Sequence, residues 1–216
     1  ETNTTPGLCR LDPNTGIGDP TPAFTYCLNL AEVEVDTKTG KTTVLKFTCV
    51  DFVGRIGNID AVNGQAYSGI MHGIGFALKE DYADVKKHAN MFGAGTSYIK
   101  DVPDDINLIH IDGAISDGPF GSSGASEAFQ ASGHCAVLNG IYNACGVRIH
   151  EIPALPEKVK AGLDAIAKGE KPYEPKKYFL GSDMYEELEN IKENPVQVGT
   201  QSFYVSLDDP TAERPF

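Results

Sequence analysis

The segment from Ala61 to Tyr82 constrains the fold most, because it has a helical pattern and yet contains glycines at positions 64, 69, 73 and 75. Each glycine costs about 1 kcal/mol in a helix interior, so the set predicts close approach of another backbone or of a ligand. Gly69 and Gly73 are four residues apart and therefore lie on one face of the predicted helix. We expect a buried helix with a smooth strip along one side.

Gln65 stands near the start of this helix. Its amide carries both a donor and an acceptor, which suits hydrogen bonding to a heteroaromatic cofactor. The residue alone is equally consistent with a side chain that caps or hydrates the first turn.

A second glycine-rich element, Gly118 to Glu127, leads into an apolar stretch that ends at Cys145. Apolar residues on every face from Gly124 onward predict one continuous buried helix. Small loop residues, together with the free N–H groups at a helix start, form a site suited to an anion. Glu127 is the only acid in the stretch, and it is either a cap-like residue favoured by the helix dipole or a catalytic carboxylate.

Two familiar loop types are excluded by the residues around the last glycine of this element. A phosphate-binding loop requires a Lys-Ser/Thr pair after that glycine, whereas Ala125 and Ser126 follow Gly124. A nucleophile elbow requires Gly-x-Ser-x-Gly, and Ala125 stands where its final glycine would be.

The charge balance argues against nucleic acid and anionic membranes as partners. The 216 residues include 30 acids and 18 bases, a net charge of −12, and no basic stripe. No apolar run approaches the roughly 20 residues of a membrane span. The first six residues contain neither an initiator Met nor a signal pattern, so we expect the chain to begin inside a longer product or after processing.

The cysteine and histidine patterns predict no metal site made of side chains. The five cysteines form no Cys-x-x-Cys pair and are expected to be reduced and packed. Reduced thiols favour a cytoplasmic location, with the periplasm as the alternative. The five histidines are scattered, which predicts core or surface roles.

The remaining segments predict a mixed α+β fold with a β-hairpin, short strands and two buried glycine-rich helices. Residues 24–36 and 41–53 predict the two strands of the hairpin, joined by a short bulged turn in which Gly40 takes a positive φ. Residues 106–111 predict a short strand. Residues 156–168 predict an amphipathic surface helix that begins at a proline and ends before a glycine.

Taken together, these motifs resemble one known family. Gly64-Gln65-x-x-x-Gly69-x-x-x-Gly73-Ile74-Gly75 and Gly121-Ser-Ser-Gly-Ala-Ser-Glu127 are similar to the C-terminal part of the molybdenum-binding region of the xanthine oxidase family. Residues 31–40 and 143–149 support the likeness, which covers most of residues 1–193. Either glycine motif alone is weak, and the two together are specific.

The resemblance implies a role at each matching position. Glu127 corresponds to the family's catalytic glutamate, the general base beside molybdenum, in a mostly apolar pocket. Gln65 corresponds to a glutamine that contacts the pterin cofactor. The loop residues expected to line the metal and the cofactor are Ser122, Ser123, Gly124, Ala125 and Ser126. The pterin, and no side chain of this chain, is expected to hold the molybdenum.

The resemblance also implies a reaction. Many relatives have Gly-Val-Gly-Glu where this chain has Gly124-Ala-Ser-Glu127, a form similar to the aldehyde-oxidising bacterial branch. We therefore expect molybdenum-dependent hydroxylation of a small aldehyde to a carboxylic acid with water. The alternatives are hydroxylation of N-heterocycles and a non-catalytic structural lobe. The expected cofactor is molybdopterin as its cytosine dinucleotide, with [2Fe–2S] clusters on other segments or subunits.

We expect the chain to be one part of a larger, oligomeric enzyme. Residues 1–150 are assigned to the C-terminal portion of a molybdopterin-binding domain, and residues 151–216 to a helical and extended tail. No Arg/Lys cluster is available for the phosphates of a dinucleotide pterin, and iron–sulfur ligands are absent. Other molybdenum-binding and iron–sulfur segments must therefore complete the active site.

Overall fold

A computed structural model describes residues 9–21, 23–84, 86–115 and 118–170. The strands are β1 (Tyr26–Val35), β2 (Thr42–Phe52) and β3 (Asp105–His110), and the helices are α1 (Ile59–Leu78), α2 (Met91–Ala94), α3 (Ser126–Ala131), α4 (Gly133–Cys145) and α5 (Pro156–Ala167). This arrangement confirms the α+β prediction. The part of the predicted tail that follows residue 170 lies outside the described residues, and the division of the chain at residue 150 stays a prediction.

The predicted hairpin is present as the antiparallel pair β1 and β2, with a register shift between Glu32 and Val33. Gly40 ends its turn with φ 78°. The Asp36 carboxylate accepts the N–H of Lys38 at 2.8 Å and so closes the turn from inside. A side chain on Gly40 would overlap the carbonyl oxygen of Pro156. Glycine is therefore required here for two reasons, the positive φ and the close approach of Pro156.

The third strand pairs with β2 in parallel, which gives the sheet order β1-β2-β3. A parallel pair requires a long crossover connection, and the segment that contains α1 supplies it. The register sets Asp51 of β2 directly beside His110 of β3. The sequence predicted the strand but not its partner or its direction.

Helices cover one face of the sheet. The fully buried side chains of this core include Phe47, Ile70, Ile74, Phe129 and Val137. On the opposite face Tyr26, Leu28 and Leu30 are 65%, 55% and 56% exposed. The described residues therefore leave an apolar sheet face open, a feature typical of a surface that meets other protein.

The prediction of one continuous helix over 124–145 is wrong, because the chain bends at Ser132 (φ −117°, ψ 0°) between α3 and α4. Asn29 of β1 donates a hydrogen bond from Nδ2 to Ser132 Oγ at 2.9 Å. The bend also brings Gly133 against Gly73 of α1, with its Cα 3.0 Å from where a Cβ on Gly73 would stand.

The predicted burial of this helix on every face is also wrong. Only Gly133, Val137 and Ile141 of α4 are buried. The sheet and α1 cover one face of α4, and the described chain has no further layer to cover the other.

The amphipathic helix predicted at 156–168 is confirmed as α5, which begins at Pro156. Its Val159 is fully buried in a small second core with Ile141, Val147 and Ala154. Within the described ranges, no helix combines the length and apolar character that crossing a membrane requires.

Candidate functional site

The segment that follows β2, residues 53–55, holds the glycine- and serine-rich loop of residues 121–126 in place through three hydrogen bonds. The N–H of Arg55 donates to the Gly121 carbonyl oxygen at 2.8 Å, and the N–H of Ser123 donates to the Val53 carbonyl oxygen at 2.9 Å. Ser122 Oγ donates to the Arg55 carbonyl oxygen at 2.6 Å. The loop is thus fixed to the chain that leaves β2 by two backbone hydrogen bonds and by the Ser122 hydroxyl.

The residue that precedes β1 fixes the next part of the loop. Thr25 Oγ1 donates to the Gly124 carbonyl oxygen at 2.6 Å. Because a hydroxyl has one proton to donate, the 2.7 Å contact between Thr25 Oγ1 and Ser123 Oγ is a bond in which Ser123 donates. The hydroxyls of Ser122 and Ser123 are therefore engaged inside the chain.

The polar groups left free lie between Gly124 and Glu127. The N–H groups of Gly124 and Ala125 have no hydrogen-bond partner in the part of the chain that the structure describes. No described atom lies within 4 Å of where a Cβ on Gly124 would stand, so that side of the loop is open. Ser126 and Glu127 are exposed. With only six residues, α3 has a smaller dipole than the long helix expected from the sequence.

The close packing of α1 on α3 and α4 confirms the predicted approach at Gly69 and Gly73, whereas no described atom lies within 4 Å of where a Cβ on Gly64 would stand. A Cβ on Gly69 would lie 2.6 Å from Phe129 Cβ, and one on Gly73 would lie 3.0 Å from the Cα of Gly133. Residue numbers rise together along both sides of this contact, so the helices run in the same direction. One turn back from Gly69 is Gln65.

One turn back from Phe129 is Ala125, which packs against the same core as Ala66 of α1. Gln65 and the segment 124–127 therefore lie at the same end of the helix crossing, although the sequence separates them by about sixty positions. Gln65 is exposed, so its amide is available to a ligand at this end of the crossing.

Glu127 is exposed, and its carboxylate accepts no hydrogen bond and forms no ion pair among the described residues. The described residues thus hold the backbone of Glu127 in the first turn of α3. They do not build the apolar pocket that the resemblance implies. Any walls around the carboxylate must come from elsewhere.

Arg55 is a cation that the sequence reasoning missed. Its backbone carries two of the bonds that hold the loop, and its Cβ lies 3.7 Å from where a Cβ on Gly121 would stand. The side chain is exposed and has no ion pair within the described ranges. A single arginine just after a strand is a common pattern and does not by itself indicate a binding site.

Behind the loop lies a buried polar network. His110 Nδ1 is 2.7 Å from Asp51 Oδ2, and His110 Nε2 is 2.7 Å from Asn63 Oδ1. The Asp51 side chain is fully buried and that of His110 is 10% exposed. Burial raises the pKa of Asp51, and the hydrogen bond and charge of His110 offset this only in part.

A cavity lies apart from these residues. Its volume is about 490 Å³, and it is bounded by the hairpin end, the C-terminal end of α1 and the start of α5. None of the predicted site residues lines it. The described residues also contain no group of three or more His, Cys, Asp or Glu side chains arranged to hold a metal ion.

Comparison with known proteins connects this geometry to a family. The profile of the molybdopterin cofactor-binding domain matches residues 2–103. An aldehyde oxidoreductase of Megalodesulfovibrio gigas is 44% identical over 162 residues, which is 75% of this chain and 18% of that protein. The structure of the aldehyde oxidoreductase from Desulfovibrio gigas superposes with a TM-score of 0.71 at 44% identity, over 74% of this chain and 18% of that one.

The chain belongs to the molybdenum-binding part of the xanthine oxidase family. A probable hypoxanthine oxidase of Escherichia coli is also similar, with 30% identity over 68% of this chain and 16% of that protein. The chain thus spans less than a fifth of the length of these relatives. The profile match includes Gln65 and ends before the loop that carries Glu127.

The exposed groups at this end of the chain are compatible with the cofactor of the family. A pterin presents both donors and acceptors, and the Gln65 amide with the free N–H groups of Gly124 and Ala125 can meet both kinds. The open side of Gly124 leaves room for a ligand to approach the backbone.

Proposed function

We propose that this chain supplies the catalytic base and part of the pterin-binding surface of a molybdenum-dependent aldehyde oxidoreductase. The observation that carries the proposal is the crossing of α1 with α3 and α4, because it gathers an exposed amide, free N–H groups and an unpaired carboxylate at one end. When bound, the molybdenum cofactor supplies the two-electron oxidant and the Lewis acid that activates water.

In this proposal Glu127 is the general base. Oxidation of an aldehyde to a carboxylic acid takes the added oxygen from water and releases two electrons and two protons, and a positioned carboxylate accepts one of those protons. A general base of this kind contributes a factor of about 10²–10⁴ in rate. The free carboxylate and its fixed backbone suit the role, and other segments of the enzyme provide the dry surroundings that strengthen it.

The remaining site residues divide into two groups. Gln65, Ser126 and the backbone N–H groups of Gly124 and Ala125 face the pterin and the metal ligands. Ser122 and Ser123 hold the loop in position, since their hydroxyls form hydrogen bonds to Arg55 and Thr25. The Arg55 guanidinium provides positive charge for a pterin phosphate, in particular that of a cytosine dinucleotide.

We further propose that the enzyme is completed by other molybdenum-binding and iron–sulfur segments or subunits, and that it is oligomeric. Two electrons must leave the site in each turnover, and [2Fe–2S] clusters on those segments carry them. A cytoplasmic location stays a prediction from cysteine usage.

Glu127→Gln in the complete enzyme tests the assignment. Glu157→Gln is the matched control, because Glu157 is an exposed acid at the same position of the first turn of α5. We expect aldehyde turnover to fall about 10²–10⁴-fold in the first variant, with molybdenum still bound, and to remain in the second. Unchanged turnover in Glu127→Gln would remove Glu127 from the mechanism and favour a non-catalytic lobe.

Hydroxylation of N-heterocycles is the second candidate, and the similarity to a probable hypoxanthine oxidase supports it. The higher identity to an aldehyde oxidoreductase favours aldehydes. Dye reduction with a panel of aldehydes, purines and pyridines decides between them. The proposal requires faster reduction by aldehydes, and faster reduction by purines or pyridines would overturn it.

A further inference from the structure

The Asp51–His110–Asn63 network joins three segments that are distant in sequence. Asp51 is the penultimate residue of β2, His110 is the last residue of β3, and Asn63 lies in the first turns of α1. The parallel register sets Asp51 and His110 side by side, and the N–H of Ile111 donates to the Asp51 carbonyl oxygen at 2.8 Å. His110 is thus the bridge between the sheet and α1.

The two ends of this bridge lead directly to the candidate site. Two residues after Asp51, the Val53 carbonyl oxygen accepts the N–H of Ser123. Two residues after Asn63 comes Gln65. The bridge therefore connects the strand end that anchors the loop with the helix turn that carries the exposed amide.

Each of the two hydrogen bonds made by the His110 ring contains one proton. With its oxygen facing Nε2, Asn63 accepts a hydrogen bond from that nitrogen, and a further proton lies between Nδ1 and Asp51 Oδ2. The Asp51 and His110 pair is then neutral overall. A neutral pair is compatible with burial, and the bond to Asn63 is short and directional. Asp51 Oδ1 has no hydrogen-bond partner among the described residues, so His110 is the side-chain partner that Asp51 has there.

We propose that His110, held by Asp51, is a positioning residue that fixes the first turns of α1 through Asn63, and thereby sets Gln65 against the 121–126 loop. This inference rests on the proposed function, in which both segments face the pterin. Replacing residues that orient metal ligands from the second layer commonly costs about 10–100-fold in metal affinity or activity. We expect an effect at the low end of this range, because Gln65 contacts the pterin and not the metal.

Asn63→Ala in the complete enzyme cuts the bridge at α1 while it leaves Asp51 and His110 paired. Asn63→Asp is the conservative counterpart, because it keeps the size of the side chain and an oxygen that accepts the Nε2 proton, and the half-buried position of residue 63 lets water reach the added charge. We expect Asn63→Ala to lower the pterin and molybdenum content, or the turnover per bound molybdenum, about tenfold. We expect Asn63→Asp to restore the lost value. Asn63→Ser, which is polar but too short to reach Nε2, serves as a second cut if the alanine variant does not accumulate.

The molybdenum(V) resonance spectrum adds a readout that a purely structural role would leave unchanged. We expect it to shift in Asn63→Ala and to return to the wild-type form in Asn63→Asp. Wild-type cofactor content, turnover and spectrum in Asn63→Ala would overturn the inference, as would equal loss in both variants. Failure of the proposed function is distinguishable, because it shows as full activity in Glu127→Gln whatever the two Asn63 variants do.

Discussion

Replacing Gly69 by alanine perturbs the helix crossing on which the site depends, and Gly64 in the same helix provides the control. Both substitutions gain about 1 kcal/mol of intrinsic helix propensity. At Gly64 no described atom lies within 4 Å of the added Cβ. At Gly69 the added Cβ would lie 2.6 Å from Phe129 Cβ and 2.9 Å from the backbone nitrogen of Gln130.

The magnitude follows from these distances. Carbon atoms in proteins pack at about 3.5–4.0 Å, so α3 must move away from α1 to admit the methyl group. Overpacking of this kind costs about 1–3 kcal/mol. Because the propensity gain is common to both variants, the difference between them isolates the overpacking cost. We expect Gly64→Ala to exceed Gly69→Ala in unfolding free energy by about 1–3 kcal/mol.

Urea unfolding of the 216-residue chain, followed by circular dichroism, measures this difference provided that the two variants share the same m-value. The displaced α3 also carries Glu127, so we expect Gly69→Ala to lower turnover in the complete enzyme. Unfolding free energies that agree within about 0.5 kcal/mol, the range of neutral surface substitutions, would refute the close crossing.

Two further predictions concern other parts of the fold. Burial raises the pKa of Asp101, but hydrogen bonds from Lys79 and from the N–H of Tyr98 outweigh it and lower the pKa overall. Ionised Asp101 therefore stabilises the fold above its ordinary pKa of about 3.9, and this stabilisation is lost as the pH falls through the lowered value. We expect Asp101→Asn to lose about 1 kcal/mol at neutral pH and to match the wild type in acid, as measured by urea unfolding across pH. A gap that does not depend on pH would contradict this. The hydrogen bond with Cys27 and burial raise the pKa of the Cys49 thiol, so a thiol reagent followed by peptide mass spectrometry should label the exposed Cys135 and leave Cys49 unmodified in the native state. Labelling of both at the same rate would show that Cys49 is accessible.

Local signals in the sequence predicted the elements well. Alternating β-formers and Gly40 predicted the hairpin, and the spacing of Gly69 and Gly73 predicted a close helix contact before its partner was known. These features could be predicted because the signal for each, its residue types and their spacing, lies within one turn or one helix.

The features that the sequence did not predict depend on partners far along the chain. The bend at Ser132 follows from the donor on Asn29 and from the fit of Gly133 against Gly73. The pairing of Asp51 with His110 follows from a parallel register, which no local pattern encodes.

The surroundings of Glu127 could not be predicted for a different reason. The described residues fix the backbone of Glu127 in α3, but the walls of a pocket around its carboxylate would have to come from protein beyond them. Its role therefore has to be tested in the complete enzyme.

The most direct test of the account is the molybdenum and pterin content of the complete enzyme with Gly124→Val. Gly57→Val is the control, because a Cβ at either position meets no described atom within 4 Å and neither glycine has a positive φ. If the open side of Gly124 faces the cofactor, Gly124→Val loses most of its molybdenum and pterin while Gly57→Val keeps both. Full cofactor content in Gly124→Val would contradict the central claim that this loop forms the cofactor surface.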